Sequence, residues 1–393
     1  MKICDLTQFY SPRSGGVKRY IHEKIAFIRS HSPDDEHVLI VPGARSELSV
    51  GPRSRVYSIA SPLVSRKARY RALLNLRAVD EIIEQERPEI IESADPYQLG
   101  WKAAAIARAR AIPAVAFYHS DFANAYLQPA AQWLGPRAGE AVMGTAERYV
   151  RELYNRFELT LAPAHAADRL RQWGVREVRA VALGVDTEVF KPEPESAASI
   201  RTRYQIPPAA TLLIYVGRLA PEKNTDTLFK AFELLEMRRR GRFHLLVVGD
   251  GQQRARLQAL QASTAGATWL PYCADATKLA ALYRAADLFV HPGTQETFGL
   301  VALESQACGT PVVGIRGSAL DGIILHDQRA WASENSAEAL ADAVERATTF
   351  DLLPMGAAAA EAVADRYAWR QVFDQLFCIY REVCATYKRR GVE

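Results

Sequence analysis

The sequence predicts an α/β protein made of two doubly wound halves, and three observations carry that prediction. Short apolar runs alternate with amphipathic helical stretches through almost all of its 393 residues, as parallel α/β construction requires. The alternation breaks at residues 184–199 (GVDTEVFKPEPESAAS), where proline, serine and acids cluster as in an interdomain linker. It then restarts, and a chain of this length accommodates two domains of nearly equal size.

In the first half KICDLT reads as a strand, followed by a helix with Val17, Tyr20, Ile21, Ile25 and Ile28 on one face. HVLIVP, RVYSIA, EIIES, PAVAFY, ELTLA and VRAVA follow as strands, most of them separated by helical stretches. In the second half the strands are TLLIYVG (211–217), FHLLVVG (243–249), ATWL (267–270), DLFVH (287–291) and PVVGI (311–315), with helices after the first four. The segment 368–390 reads as a long helix with Trp369, Phe373, Leu376, Tyr380 and Val383 on one stripe. The expected domains are 1–190, joined by the C-terminal helix 370–393, and 191–369. Two such halves side by side present a cleft at the carboxyl ends of their strands, where ligands bind in doubly wound folds.

Composition narrows the function. A net charge of +4 is too small to suggest nucleic acid. No apolar run is long enough to span a membrane, and MKICDLTQFY lacks the profile of a signal peptide. Five scattered cysteines show no metal-ligand spacing, so a reduced cytoplasm is the simplest location. One charge asymmetry stands out. From Leu48 to Val79 there is no acid but seven bases: Arg53, Arg55, Arg66, Lys67, Arg69, Arg71 and Arg77. A helix over about 67–86 would present several of them, either as a solvated face or toward an anionic acceptor or the inner face of a membrane.

The chemistry-bearing residues gather in the second half. In VGRLAPEKN (216–224), Gly217 permits a tight turn after a strand, and Arg218 and Lys223 place two cations near a helix N-terminus, an arrangement suited to a diphosphate. VGDGQQR (248–254) is a second strand–glycine–helix loop and is unspecific alone. HPGTQETFGLVALESQACGTPVVG (291–314) holds Glu296 in a loop and Glu304 in the following helix, eight positions apart. At different depths in one cleft they would not share one bond, as glycosidase acids do. Each would accept hydrogen bonds from vicinal hydroxyls, while the backbone N–H groups of Phe298, Gly299 and Leu300 face the same anion as Arg218. No G-x-G-x-x-G follows a strand, which argues against a nicotinamide enzyme.

With GGVKRYI (15–21), YHSD (118–121), GVDTEVFKP (184–192), GRLAPEKN, GDG, ETFGLVALE and ACGTPVV, the chain resembles the retaining glycosyltransferases of family 4 over nearly its whole length. The resemblance implies the GT-B fold, two Rossmann-like domains facing a cleft, with a C-terminal helix crossing back to the first. It implies that Glu304 holds the nucleotide ribose and Glu296 the hydroxyls of the transferred sugar. Arg218 and Lys223 would hold the diphosphate with the Gly15–Gly16 turn, and His119 would face the sugar near its reacting carbon. Leu183 stands where the family often has asparagine, and GSALDG (317–322) replaces paired glycines. Subgroup features are most similar to mannosyltransferase-like and sulfoquinovosyl-type members.

The expected reaction moves a hexose from GDP-mannose or a UDP-sugar to a hydroxyl of a lipid or saccharide, with retention and no cofactor. No Asp-x-Asp element is present to hold a divalent ion, so metal independence is expected. An epimerase or phosphorylase on the same plan, or a non-catalytic sugar-nucleotide sensor, are the competing readings.

Overall fold

The computed structural model describes residues 1–10, 16–64, 69–119, 135–193, 197–294, 296, 298–318 and 320–390. The chain divides into two compact units, Met1–Leu183 with Trp369–Glu393, and Gly184–Ala368. Each is built on its own sheet.

The described strands of the first unit are β1 (Lys2–Leu6), β2 (Glu36–Gly43), β3 (Glu47–Gly51), β4 (Ser54–Ala60), β5 (Ile90–Ser93), β6 (Ala114–Phe117), β7 (Leu159–Ala162) and β8 (Val178–Ala180). They form one sheet in the order β3-β4-β2-β1-β5-β6-β7-β8. Every pairing is parallel except that of β3 with β4. The near-continuous apolar runs of β1, β2, β5, β6 and β7 are buried because helices cover such sheets. The antiparallel β3 was not expected from sequence. Its Leu48 and Val50 are exposed, and it is held by backbone pairing to β4, which leaves no burial pattern to read.

A second difference concerns the basic run. The helix expected over about 67–86 begins only at Leu76, where the Asn75 side chain accepts from the Ala78 N–H and caps it. Before it, residues 61–64 and 70–72 are bonded to one another: Val64 N–H donates to the Tyr70 carbonyl, Ala72 N–H to the Pro62 carbonyl, and Arg71 to the Ser61 carbonyl. The described bases are dispersed rather than aligned. Arg55 pairs with Glu36 and Glu86, Arg77 pairs with Glu81, Arg53 donates to the Ser32 carbonyl, and Arg69 is exposed. Arg66 and Lys67 lie outside the described residues.

The C-terminal helix Trp369–Arg390 packs on the helix Gly16–His31 through Phe27, Phe373 and Phe377, with ring centroids 5.2–5.4 Å apart. Beneath that contact lies a charged cluster. Lys24, fully buried, donates to Asp5 Oδ2 at 2.9 Å, Glu92 Oε1 at 3.0 Å and the Tyr380 hydroxyl at 3.1 Å. Tyr20 and Tyr380 both donate to Glu92, and His37 meets Asp5 at 2.9 Å. Burial pushes the Asp5 carboxyl up, but Lys24 and His37 outweigh it and bring it down to about 2. Burial raises the Glu92 carboxyl against the pull of the same lysine.

The second unit carries β9 (Thr211–Val216), β10 (Phe243–Val248), β11 (Ala267–Leu270), β12 (Leu288–Val290) and β13 (Val312–Val313) in the order β11-β10-β9-β12-β13, all parallel. Helices follow the first four strands, at Thr225–Arg238, Arg254–Ser263, Ala276–Ala285 and Leu300–Ala307. Part of the stretch read as a linker packs on this unit. Arg284 donates to the carbonyls of Val189 and Lys191 and pairs with Glu193, while Phe190 meets the Tyr283 ring edge-on. No described helix is long and apolar enough to cross a membrane.

Candidate functional site

The order β9-β12-β13 sets two loops side by side at the carboxyl ends of adjacent strands, and these loops carry Lys223 and Glu296. After β9 the chain runs through Gly217 into a single 3-10 turn, Pro221–Lys223. Asn224, in the left-handed conformation, ends that turn. Its side-chain amide donates to the Pro292 carbonyl at 2.8 Å, tying the Lys223 loop to the loop after β12. Lys223 then pairs with Glu296 Oε1.

Glu296 has a second neighbour that sequence reading passed over. His291, buried at the end of β12, approaches the same Oε1 with Nε2 at 3.3 Å. Burial pushes the Glu296 carboxyl up, but Lys223 and His291 outweigh it and hold the group well below the usual carboxylate range. It is therefore an anion at any physiological pH, able only to accept hydrogen bonds.

Glu304 lies in the helix Leu300–Ala307, buried, and accepts from the Tyr283 hydroxyl at 3.1 Å. Gly299 caps that helix with φ 79°, and a Cβ there would come within 2.3 Å of Leu320, so glycine is required on both counts. The first N–H groups of a helix lack intrahelical acceptors, and those of the Gly299–Leu300 turn stand at that end of this helix. Phe298, beside them, is buried against Tyr367.

The loop after β10 plays a structural part. A Cβ on Gly249 would lie 1.9 Å from the Gly217 carbonyl oxygen, and Leu219 N–H donates to the Asp250 carbonyl at 3.1 Å. The GDG segment thus lets two loops run backbone against backbone and holds the turn that presents Arg218 and Lys223.

Arg218 is placed differently from Lys223. It is 66% exposed and pairs with Glu222 at 3.0 Å, one turn further along its own loop, so the two expected cations are not joined in one cluster. Its carbonyl accepts from the buried Tyr215 hydroxyl at 3.0 Å, which fixes the backbone beneath the exposed guanidinium. In the other unit His119 follows β6, its ring stacked on Phe117 at 3.9 Å and tilted against Tyr20 at 4.8 Å. Burial and the Lys24 charge lower its pKa to about 3, so the imidazole is neutral. Gly16 opens the helix Gly16–His31. Gly15 lies outside the described residues, as do Ser120 and Asp121 of the YHSD motif.

The charged partners could not be read from spacing. Lys223 and Glu296 are 73 positions apart, and His291 was visible only as the last residue of a strand. The one local signal was a histidine five residues before a buried acid, with glycine and proline between.

Comparison with known proteins bears on this site. The sequence model of Glycosyltransferase Family 4 matches residues 14–189, and that of Glycosyl transferases group 1 matches residues 197–354. The chain is 32% identical over 360 residues to a GDP-mannose-dependent alpha-(1-6)-phosphatidylinositol dimannoside mannosyltransferase of Mycobacterium tuberculosis, covering 88% of this chain and 87% of that protein. It is 29% identical over 409 residues to a GDP-mannose-dependent alpha-mannosyltransferase of Corynebacterium glutamicum, covering 99% and 91%. Among solved structures, sucrose-phosphate synthase from Thermosynechococcus elongatus superposes with a TM-score of 0.76 at 18% identity, over 98% of this chain and 99% of that one.

Proposed function

The chain belongs to the group 1, family 4 glycosyltransferases and is a glycosyl-transferring enzyme of GT-B fold; from that premise we propose that it moves a hexose, with retention and without a metal, from a nucleotide diphosphate sugar to a hydroxyl of a lipid or saccharide acceptor. Two relatives are named for GDP-mannose, which supports that donor ahead of a UDP-sugar. The observation that carries the reading is the meeting of Lys223 with Glu296 on adjacent loops of one unit. A cation for the departing diphosphate and an acid for the sugar's hydroxyls then lie side by side, with Glu304 on the following helix for the ribose.

The acceptor oxygen forms its bond to the anomeric carbon on the face from which the phosphate oxygen departs. The acceptor's proton passes to that phosphate oxygen, and the products are the glycoside and the nucleoside diphosphate. The protein supplies placement and charge: Lys223, with Arg218 turned inward from Glu222, stabilises negative charge that grows as the bond breaks. His119, neutral, contributes a hydrogen bond toward the sugar, and no cofactor is needed. Because a lysine and an arginine do the work of a divalent ion, turnover in excess EDTA is expected to equal turnover with magnesium or manganese. Activity lost to the chelator and restored by either metal would refute this.

The roles of the two acids are separable. Glu304→Ala is expected to weaken binding of the bare nucleoside diphosphate by roughly 10-fold to 100-fold, the worth of a hydrogen bond to a charged group. Glu296→Ala is expected to leave that binding nearly intact while donor turnover collapses. Calorimetry with GDP and UDP beside a turnover assay decides it, and the opposite pattern would exchange the two roles.

For the acceptor, the first unit exposes Leu48, Val50, Leu63, Val64 and Leu74, and the base Arg69. Exposed apolar side chains and exposed bases on one unit suit an anionic lipid surface, on which the enzyme would sit peripherally at the cytoplasmic face. Flotation with anionic but not neutral liposomes, weakened by salt, is the expected result. Absence from both at low salt would leave a soluble acceptor.

A further inference from the structure

Among the described residues, Glu296 has two donors on one oxygen, and they differ in freedom. Lys223 reaches Oε1 from a four-carbon stem at the end of a 3-10 turn, and such a stem swings readily. His291 does not swing. Its N–H donates to the Val313 carbonyl at 2.8 Å, so its backbone is part of the β12–β13 ladder. Its side chain is only 3% exposed, and a Cβ on Gly293 would come within 2.8 Å of its Cε1, so the following loop folds directly over the ring. Glu296 is an acceptor only, so the proton between the two groups sits on His291 Nε2. Nδ1 is buried and without a partner among the described residues.

Resting on the reading of Glu296 as the acid that takes the sugar's hydroxyls, we propose that His291 is a positioning residue that holds Glu296 in place when Lys223 turns to the diphosphate. An arriving donor brings a second anion for the lysine to serve. If the lysine were the sole anchor, Glu296 would be released when the sugar needs it fixed. With His291 behind it, Oε1 keeps one donor throughout, and Oε2 stays directed at the sugar. The Nε2 to Oε1 separation of 3.3 Å is long for such a bond while the lysine shares the oxygen. It has room to shorten once the lysine leaves.

Among the described residues, the groups facing Glu296 are Lys223 from the turn after β9, His291 at the end of β12 and Tyr215 from β9, with Arg218 and Glu222 acting on Tyr215 from the same loop. Removing the histidine's N–H takes away one of the groups that favour the carboxylate. The acid limb of the pH–rate profile is therefore expected to move toward neutral, which a merely structural loss would not do.

The test uses His291→Leu and His291→Gln in the full chain, with GDP release from GDP-mannose, water as acceptor, as the readout. UDP-glucose is substituted if that is the donor turned over. Glutamine places an amide N–H where Nε2 stands. The leucine variant is expected to lose roughly 10-fold to 100-fold in kcat, with GDP affinity unchanged by calorimetry and the acid limb displaced upward. The glutamine variant is expected to recover most of the loss. Wild-type kcat and pH profile in His291→Leu would overturn the proposal, as would a glutamine variant no better than leucine. Glu296→Gln, assayed alongside, separates the two levels: if it too is fully active, the reading of Glu296 itself has failed; if it is inactive while His291→Leu is normal, only the role of His291 has.

Discussion

Lys223→Ala is expected to lower turnover by roughly two to three orders of magnitude, the measured scale for removing one donor aimed at developing negative charge. It also strands Glu296. With one partner of a largely buried pair gone, the carboxylate keeps, among the described residues, the 3.3 Å approach of His291, and folding stability should fall by about 1–3 kcal/mol. The two losses have separate causes and can be separated. In Lys223→Ala/Glu296→Ala the buried charge is removed with its partner, so stability should return while turnover stays lost. Arg218→Ala is the contrast, because its exposed pair with Glu222 contributes only a few tenths of a kcal/mol. Its stability should match wild type, and any loss of turnover then reports contact with the diphosphate alone. Near-normal turnover in Lys223→Ala would remove the proposed stabilisation of the leaving group.

Lys24→Ala is expected to destabilise the first unit by about 3–5 kcal/mol, the cost of leaving a buried charge without its partner. Two buried carboxylates share this ammonium, Asp5 at 2.9 Å, which His37 also meets, and Glu92 at 3.0 Å. Tyr380, from the C-terminal helix, bonds to both Lys24 and Glu92, so the loss should also loosen that helix. Limited proteolysis after residue 369, followed beside the thermal transition of the first unit, would show it. Tyr380→Phe keeps the ring and the charge balance, and should cost less, about 1.5–3 kcal/mol for hydrogen bonds to charged groups. Burial already raises the Glu92 carboxyl, so in Lys24→Ala it should take up a proton first, and the gap to wild type should narrow as pH falls. A first-unit transition unchanged in Lys24→Ala would mean that the cluster is not ionised.

These two lysines mark the limit of what local sequence conveys. Lys24 sits in a helix whose apolar face was visible, at a position that periodicity marks as inward but chemistry marks as exposed. Only the approach of β1, β5 and the last helix supplies Asp5, Glu92 and Tyr380 and makes burial tolerable. Similarly, β3 was missed because an exposed edge strand has no alternation to detect, and the helix expected from 67 starts at Leu76 because Asn75 caps it there.

The α/β class, the restart of the pattern in a second unit, the β-strands with a buried face and the loops where glycine must stand were all legible in the residues. Those follow from properties that act over a few residues: side-chain polarity at strand and helix periods, and backbone freedom at turns. The sequence also put Lys223 and Glu296 on loops that follow strands, and Glu304 in the helix after β12. Tertiary structure alone decided which charges meet. Lys223 pairs with Glu296 because β12 lies beside β9, and Arg218, five positions from Lys223, faces solvent with Glu222. Strand order is a global outcome of packing, and Coulomb attraction is spent between whichever groups that order brings within a few ångströms.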